Sequence, residues 1–280
     1  MKINIGTRGS RLALIQAKLV ETALKREFSD IETEKIIINT KGDKIRNKPL
    51  SEIGGGGLFV KEVEKALVSG KIDIAVHSAK DMPAELAEGL EIGAAMPRGD
   101  AHDVLVTGKN TKYPEIIGTG SLRRKIFAEK LYPECRVKDI RGNIDTRIKK
   151  MLDGEYDGII LALAGLQRLG ANENISLKKF EYSEILPSAC QGIIAVECRK
   201  GEFPEIMRRI NDTETMYELE TERFVLKILG SDCSLPVGAL SEVNGSKIRL
   251  TVTVDCKRII TGEADIKDRF RLAERLVNEL

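Results

Sequence analysis

The sequence predicts an α/β protein with two similar lobes that face each other across a cleft, followed by a small α+β unit. Strand-like and helix-like segments alternate over the first two-thirds of the chain, which is typical of α/β sheets. Residues 5–10 and residues 117–121 both read as a strand, a Gly-Thr turn and a serine that begins a helix. Residues 236–280 read as strands followed by a final helix. At about 150 residues per domain, 280 residues suggest two domains and a small third.

The first lobe is predicted from residues 1–96, completed by a later segment. It begins with a strand at residues 2–6, and Ser10 then caps a helix that extends to about Glu27. The elements that follow are a strand at residues 35–39, a helix at residues 58–68 and a strand at residues 72–77.

The second lobe is predicted from residues 97–192. Its strand at residues 116–118 leads through a turn to Ser121, which caps a helix to about Tyr132. Residues 156–160 also echo residues 72–76, which supports two lobes of one architecture. The other elements are a strand at residues 136–140, a helix at residues 145–152 and a strand at residues 158–163.

An apolar strand at residues 193–197 could return to the first lobe. We therefore predict a discontinuous first lobe of residues 1–96 and 193–210, a second lobe of residues 97–192, and a C-terminal domain of residues 211–280. The strand–helix alternation favours parallel-type sheets. The C-terminal elements are a helix at residues 214–229, strands at residues 237–243, 247–256 and 258–261, and a helix from about Asp265.

The composition excludes several classes of protein. Hydrophobic residues make up 42% and charged residues 31%, which fits a globular core and excludes disorder. No apolar run is long enough to cross a bilayer, and no signal segment follows Met1, so we expect a cytoplasmic protein with no membrane partner. A net charge of +2 and 4% aromatic residues argue against general nucleic-acid binding. Residues 121–150 are locally basic, with ten basic and four acidic residues.

The cysteine pattern predicts no metal site and reduced thiols. Five cysteines form no CxxC pair and no zinc-like spacing. Cys233 is the candidate for a covalent role because it lies in a turn-rich loop at residues 230–238, whereas Cys198 follows an apolar run. The alternative is that Cys233 packs as a small hydrophobic core residue and has no chemical role. The remaining cysteines are Cys135, Cys190 and Cys256.

Cationic side chains follow five predicted strands. Ligands of open α/β sheets bind beyond the carboxyl ends of the strands. Ser10 and Ser121 begin helices whose free amides attract anions, and arginine forks suit carboxylates or phosphates. The alternative for the four basic residues within residues 123–130 is a solvated helix face. We predict a cleft for a ligand with several negative groups, lined by Arg8, Ser10, Lys80, Ser121, Arg123, Arg124, Arg141, Arg147 and Arg168.

Asp81 is an acid within this cationic set. It is a candidate general acid, general base or counter-charge to a cationic intermediate, and its alternative is a turn or cap residue before Pro83. His77 and His102 are predicted to be structural, because no Ser or Cys elbow of a hydrolase triad is present. The glycine run at residues 54–57 is not a P-loop, since no GK[ST] follows, and reads as a lid or a linker.

Several motifs in order over almost the whole chain resemble the porphobilinogen deaminase, or hydroxymethylbilane synthase, family. No single motif would be specific for this family, but the motifs together are highly specific for it. They are TRGSRLALIQA from Thr7, GLFVKEVE from Gly57, DIAVHSAKDMP from Asp73, GTGSLRR from Gly118, RGNIDTR from Arg141, LALAGLQRLG from Leu161, and ER…CSLPVG from Glu222 to Gly238.

The resemblance implies two lobes like those of periplasmic binding proteins and a small third domain that carries a cysteine. It implies a transferase that joins four porphobilinogen molecules head to tail, releasing ammonia, into hydroxymethylbilane. It also implies a dipyrromethane cofactor attached through a thioether, at the position of Cys233, and a monomer. The catalytic aspartate matches Asp81. The anion-binding residues match Arg8, Ser10, Lys80, Thr119, Ser121, Arg123, Arg124, Arg141, Arg147 and Arg168.

Some positions depart from the family pattern. Glu52 and Gly56 stand in the glycine loop where many members carry lysines, which puts lid contacts to substrate carboxylates in doubt. Asp232 replaces a small residue before the cysteine, and Leu235 is a milder change. A carboxylate beside Cys233 disfavours its thiolate, so we expect slower cofactor attachment.

Two other classes of function stay open at this point. A solute-binding module of the same two-lobed fold would capture an anion without chemistry and would need no reactive cysteine. Alternatively, the basic segment at residues 121–150 would bind nucleic acid, with a steep salt dependence. Neither alternative accounts for Asp81 and Cys233 in matching motifs.

Overall fold

The computed structural model of the chain describes residues 1–40, 60–170, 174–230 and 235–280. Its strands are β1 (Lys2–Thr7), β2 (Glu32–Ile37), β3 (Ile74–Ser78), β4 (Leu90–Ala95), β5 (Asp103–Gly108), β6 (Ile116–Gly118), β7 (Arg136–Lys138), β8 (Gly158–Ala162), β9 (Ile175–Lys179), β10 (Ile194–Arg199), β11 (Gly238–Asn244), β12 (Lys247–Thr253) and β13 (Ile260–Asp265). Its helices are α1 (Arg11–Glu27), α2 (Lys61–Val68), α3 (Leu122–Leu131), α4 (Ile144–Leu152), α5 (Leu163–Leu169), α6 (Pro204–Ile210), α7 (Thr213–Ile228) and α8 (Arg269–Glu279).

The strands form two five-stranded sheets and one three-stranded sheet. The first sheet has the order β2-β1-β3-β10-β4, and the second has the order β7-β6-β8-β5-β9. In each, the first three strands are parallel, and the strand in fourth position, β10 or β5, runs antiparallel to both neighbours. The expectation of two similar α/β lobes is confirmed, but the sheets are mixed and the parallel-type prediction was wrong for this strand.

The internal repeat extends to individual hydrogen bonds. The Asp73 carboxylate accepts from the backbone N–H of Asn4 at 2.7 Å, and its own N–H donates to the Asn4 carbonyl at 2.9 Å. Asp157 makes the same pair of contacts with Ile116, at 2.8 and 2.9 Å. Each aspartate immediately precedes the central strand of its sheet and fixes its register against the neighbouring strand. The sequence echo therefore reflects equivalent structure in the two lobes.

The first lobe is built around α1. Ser10 caps the helix, because its Oγ accepts from the Ala13 N–H at 3.3 Å. Ala17, Val20 and Leu24 are fully buried and pack against the sheet. Their spacing of three and four residues gives α1 one continuous apolar face.

Gly6 in β1 allows a close approach of chain segments. A Cβ at this position would lie 2.2 Å from Cδ1 of Ile72, closer than any real contact. Gly118 has the equivalent place in the second lobe, with Tyr156 at 2.8 Å. Both glycines stand at the carboxyl ends of the strands that lead into the candidate site, so they keep those ends close to the neighbouring segment.

The third sheet, β11-β12-β13, is antiparallel and packs with α7 and α8. Its core includes Leu219, Val225, Leu250 and Leu276. This is the small α+β unit expected from the sequence. None of the helices in the described part of the chain is long and apolar enough to span a membrane.

Two chain segments cross side by side between the lobes. Met96 donates to the Ile194 carbonyl at 3.0 Å, and Gly99 donates to the Gly192 carbonyl at 3.1 Å. Gly192 has φ +89°, which favours glycine. The return of the chain through β10 to the first sheet is as expected, while the exact domain boundaries stay a prediction.

Arg98, in the first crossing, ties this junction to the third sheet. Its Nη1 and Nη2 donate to Glu222 on α7 at 2.6 and 3.2 Å, and its Nε donates to the Gln191 carbonyl at 3.0 Å. Glu222 is fully buried and also accepts from the Ser241 N–H at 2.7 Å. Burial opposes the charge of Arg98, but Glu222 outweighs it and raises the pKa of the guanidinium.

Several elements were absent from the sequence prediction or shifted. The second strand is at Glu32–Ile37 rather than residues 35–39, and the final helix begins at Arg269 after a 3-10 turn. The unpredicted elements are β4, β5, β9, α5 and α6. Most carry polar residues or only a short apolar run, so periodicity alone does not reveal them.

Candidate active site

Lys80 and Asp81 lie where the first sheet meets the second lobe. β3 ends at Ser78, and a 3-10 turn at Ala79–Asp81 follows. The Ala79 N–H donates to the Ile193 carbonyl at 3.0 Å, which holds the turn against the crossing segment. Both functional side chains are half-buried, and Lys80 Nζ donates to Oε1 of Gln191 at 3.4 Å.

The electrostatic surroundings of Lys80 are cationic. Burial and the Arg124 guanidinium lower the pKa of Lys80 from 10.5 to about 8, against the opposing charge of Asp81. The ammonium group therefore keeps its proton near neutral pH with little margin. An anion bound beside it would raise its pKa again.

Arg147 brings α4 of the second lobe to the same place. Burial, followed by repulsion from Arg124, lowers the pKa of Arg147 to about 10, while the Asp81 carboxylate opposes this and Arg141 adds to it. Its Nε donates to the Gly142 carbonyl at 2.7 Å. Asp81 therefore acts electrostatically on cations from both lobes.

Arg123 and Arg124 are buried, with 3% and 7% of their surface exposed. The alternative of a solvated helix face is therefore wrong for both residues, although it holds for Lys125 and Lys130, which are exposed. Arg123 and Arg124 share one partner, the fully buried Asp103. Its Oδ2 accepts from Arg123 at 2.8 Å, and its Oδ1 accepts from Arg124 at 2.7 Å. The two guanidinium groups thus carry one positive charge in excess of their counter-ion.

Arg168 lies at the crossing between the lobes. It is on α5, and its Nη2 donates to the Gly192 carbonyl at 2.6 Å. Burial lowers the pKa of its guanidinium. Arg141 and Arg8 are half-buried, near α4 and at the end of β1 respectively.

The predicted hydroxyl groups begin helices. Ser121 caps α3, since its Oγ accepts from the Arg124 N–H at 3.4 Å. Thr119 is buried, and its Oγ1 accepts from the Ser121 N–H at 3.2 Å. Ser10 and Ser121 are half-buried at equivalent helix starts in the two lobes, where the helix dipole favours an anion.

Several positions singled out in the sequence lie outside the described residues. They are Cys233, Asp232, Glu52 and Gly56, together with the rest of the glycine run. Of the residues on either side of Cys233 in the sequence, Gly230 follows α7 and Leu235 precedes β11.

The cationic residues predicted to line a cleft fit a group that carries several carboxylates. Lys80, Arg147 and Arg168 all have pKa values lowered by burial, so each gains from a bound anion. Nε of Arg123 is buried and has no partner among residues that the structure describes. A metal ion suits this surplus of cations poorly. No cluster of His, Cys, Asp and Glu in the described ranges is arranged to hold one.

Sequence reasoning missed Asp103, Gln191 and Gln16. Gln16 lies on α1 and donates from Nε2 to Oγ of Ser78 at 2.8 Å, which supports the end of β3. Asp103 is the first residue of β5, a strand that the periodicity did not reveal. A charged residue at the head of a short apolar run was the available signal.

The fold and the site define a class of protein: a two-lobed α/β protein with cations from both lobes and one carboxylate placed among them. Comparison with known proteins supplies the family. The chain matches the family model described as "Porphobilinogen deaminase, dipyromethane cofactor binding domain" over residues 3–205. The chain belongs to the porphobilinogen deaminase family.

Two relatives of the same name support this assignment over most of the chain. The porphobilinogen deaminase of Acetivibrio thermocellus is 47% identical over 254 residues, which cover 90% of this chain and 87% of that protein. That of Rickettsia typhi is 44% identical, covering 92% and 90%. Among solved structures, the open substrate binding domain 2 of Lactococcus lactis GlnP has a TM-score of 0.45 at 11% identity, covering 82% of this chain and 90% of that one.

Membership of the family establishes the expected activity. The protein is an enzyme, a transferase of tetrapyrrole biosynthesis that works with a dipyrromethane cofactor. The family's reaction joins porphobilinogen molecules head to tail into hydroxymethylbilane, with release of ammonia.

Proposed function

We propose that the cations of the cleft bind the acetate and propionate groups of porphobilinogen and of the pyrrole chain made from it. The residues assigned to this binding are Arg8, Ser10, Lys80, Thr119, Ser121, Arg123, Arg124, Arg141, Arg147 and Arg168. Support comes from the surplus of buried positive charge around Lys80 and Arg147. Each added pyrrole brings two carboxylates, so a cleft for this product needs more cations than anions.

Asp81 is the proposed catalytic residue. Loss of ammonia from porphobilinogen leaves a cationic substrate, and the Asp81 carboxylate supplies the opposite charge. Lys80 and Arg147 would hold substrate carboxylates beside it, which orients the reacting carbon toward its nucleophile. The interaction of Asp81 with cations from both lobes is the observation that carries this assignment.

Cys233 is the proposed attachment site of the cofactor through a thioether. When bound, the dipyrromethane group supplies the first nucleophilic pyrrole. The tethered chain cannot diffuse away between additions, so each condensation has one partner already in place. Among the four other cysteines, Cys190, Cys198 and Cys256 are buried and Cys135 is half-buried, which leaves the loop cysteine as the candidate.

Intact-mass measurement of the wild type and of Cys233→Ser tests the attachment. We expect a dipyrromethane adduct on the wild type only, together with ammonia release and hydroxymethylbilane formation when porphobilinogen is supplied. An adduct of the same mass on Cys233→Ser would overturn the attachment site. Absence of ammonia release by wild-type protein that carries the adduct would overturn the proposed function.

We further propose three domains, comprising residues 1–96 with 193–210, residues 97–192 and residues 211–280, in a monomeric cytoplasmic enzyme without a nucleic-acid partner. The membership of the three sheets supports the boundaries. The free thiols of the four described cysteines are compatible with a reducing compartment. Sedimentation tests the monomer, and salt-dependent DNA or RNA binding would contradict the absence of that partner.

A further inference from the structure

Asp103 is a buried charge that is not among the residues assigned to binding or catalysis. It is the first residue of β5 and is fully inaccessible to solvent. Its Oδ1 accepts from Nε and Nη2 of Arg124, at 3.1 and 2.7 Å, and from Nε2 of Gln191 at 2.8 Å. Its Oδ2 accepts from Nη2 of Arg123 at 2.8 Å. One carboxylate therefore holds three side chains, two of them cationic.

The contacts of Arg124 fix the direction of its guanidinium. Nε and Nη2 both face Asp103, and Nη1 donates to the Ile160 carbonyl at 3.2 Å. A planar fork bound through three nitrogens has one orientation, whereas a single ion pair would allow it to swing. Loss of the carboxylate would leave a backbone carbonyl and an amide to hold the group.

Gln191 carries this order across to the first lobe. Its Nε2 donates to Asp103 and to the Ala101 carbonyl at 2.7 Å, both of which need a donor. Oε1 must then face the opposite way, where it accepts from Arg124 at 3.2 Å and from Lys80 at 3.4 Å. Because an amide has one oxygen end and one nitrogen end, Asp103 decides which end meets the cations.

We infer that Asp103 is a positioning residue, which directs Arg124 by ion pairing and Lys80 through the Gln191 amide, so that cations from opposite lobes converge on one substrate chain. This inference rests on the proposed function of the cleft. Asp103 need not touch substrate to act in this way. Its effect is to set the direction of two cations and the net charge of the group.

The charge of Asp103 also reaches Lys80. The groups that act on the Lys80 ammonium are Asp81 beside it, Arg123 and Arg124 from α3, and Asp103 from β5. The two arginines lower the pKa of Lys80 and the two aspartates raise it. Replacing Asp103 by a neutral side chain of the same shape removes one of the two opposing charges, so Lys80 would lose its proton at a lower pH.

The variant Asp103→Asn tests the inference, with Glu129→Gln, an exposed carboxylate on α3, as the matched control. We expect a loss of roughly tenfold or more in kcat/KM for porphobilinogen, mainly through KM. We also expect kcat/KM to fall at a lower alkaline pH than in the wild type, because Lys80 would lose its proton at a lower pH. A merely structural residue would not shift that decline. Glu129→Gln is expected to match the wild type in both measurements.

If Asp103→Asn folds, has the KM of the wild type and loses kcat/KM at the same alkaline pH as the wild type, the positioning role is wrong, while the proposed function is unaffected. Failure of the wild type and the control to make hydroxymethylbilane would overturn the proposed function, and the inference with it. If circular dichroism shows that Asp103→Asn does not fold, Asp103→Glu decides. That variant keeps the negative charge but displaces it. We therefore expect a lower kcat/KM that falls at the same alkaline pH as in the wild type. A kcat/KM equal to that of the wild type would overturn the inference.

Discussion

Asp81 and Arg147 belong to opposite lobes, and the Asp81 carboxylate partly offsets the loss of Arg147 basicity caused by burial and by neighbouring arginines. Asp81 lies in the 3-10 turn that follows β3 of the first sheet, and Arg147 is on α4 of the second lobe. The relationship exists only when the two lobes are placed together. It locates the proposed chemistry at their junction.

Replacement of Asp81 by asparagine is expected to reduce turnover by about 10²-fold or more, because the carboxamide cannot offset a cationic intermediate. The dipyrromethane adduct should remain, since binding cations are retained. Ammonia release and intact mass measure the two properties. Glu85→Gln, an exposed carboxylate nearby, is the control. Turnover near that of the wild type in Asp81→Asn would contradict the catalytic role.

The activity is expected to fall above about pH 8 as Lys80 loses its proton. Only protonated Lys80 binds carboxylates, and burial lowers the pKa of Lys80, so binding weakens as the pH rises through that pKa. Lys80→Arg keeps its charge throughout the alkaline range, so the decline in kcat/KM should move to higher pH. An identical alkaline decline in wild type and Lys80→Arg would show that another group controls it.

The Arg98–Glu222 pair is expected to stabilise the junction of the lobes with the third sheet. Removing one partner of a buried ion pair leaves the other charge without compensation, at a cost of about 3–5 kcal/mol. Glu222→Gln should therefore lower the melting temperature clearly, as followed by circular dichroism. Glu274→Gln, an exposed carboxylate on α8, should change it little. Equal melting temperatures for the two variants would refute the expectation.

Glu21 is expected to stabilise the first lobe at neutral pH but not in acid. Lys25 and Lys35 each donate to its buried carboxylate at 2.8 Å. The hydrogen bond from Lys25 has the largest effect on the carboxyl pKa, and together with that from Lys35 it lowers this pKa far below the ordinary value. A lowered carboxyl pKa contributes stability above the unfolded pKa of about 4.3, and this is lost as the pH falls further. Glu21→Gln should therefore unfold more easily than wild type at pH 7.

The difference in unfolding free energy between wild type and Glu21→Gln should become smaller as the pH is lowered from about 5. Denaturant unfolding at several pH values measures it. The exposed pair of Lys2 and Glu34 provides the control, since Glu34→Gln should have little effect at any pH. A constant difference between wild type and Glu21→Gln down to about pH 2 would contradict the proposed origin of the stability.

Local signals in the sequence predicted the helix starts and the internal repeat. Ser10 and Ser121 cap their helices as expected because capping depends on only a few neighbouring residues. The echo around Asp73 and Asp157 corresponds to matching hydrogen bonds in the two sheets. The placement of cations after successive strands follows from strand order, which periodicity can indicate.

The sequence by itself determined the α/β class, the repeated lobe, the family and the residue types available for a polyanion. Only the tertiary structure decided that β5 and β10 run antiparallel, that Arg123 and Arg124 share buried Asp103, and that Asp81 acts on Arg147. The physical reason is range. Caps and amphipathic faces depend on residues a few positions apart, whereas charge pairing and strand direction depend on segments that are distant in sequence and meet only after folding.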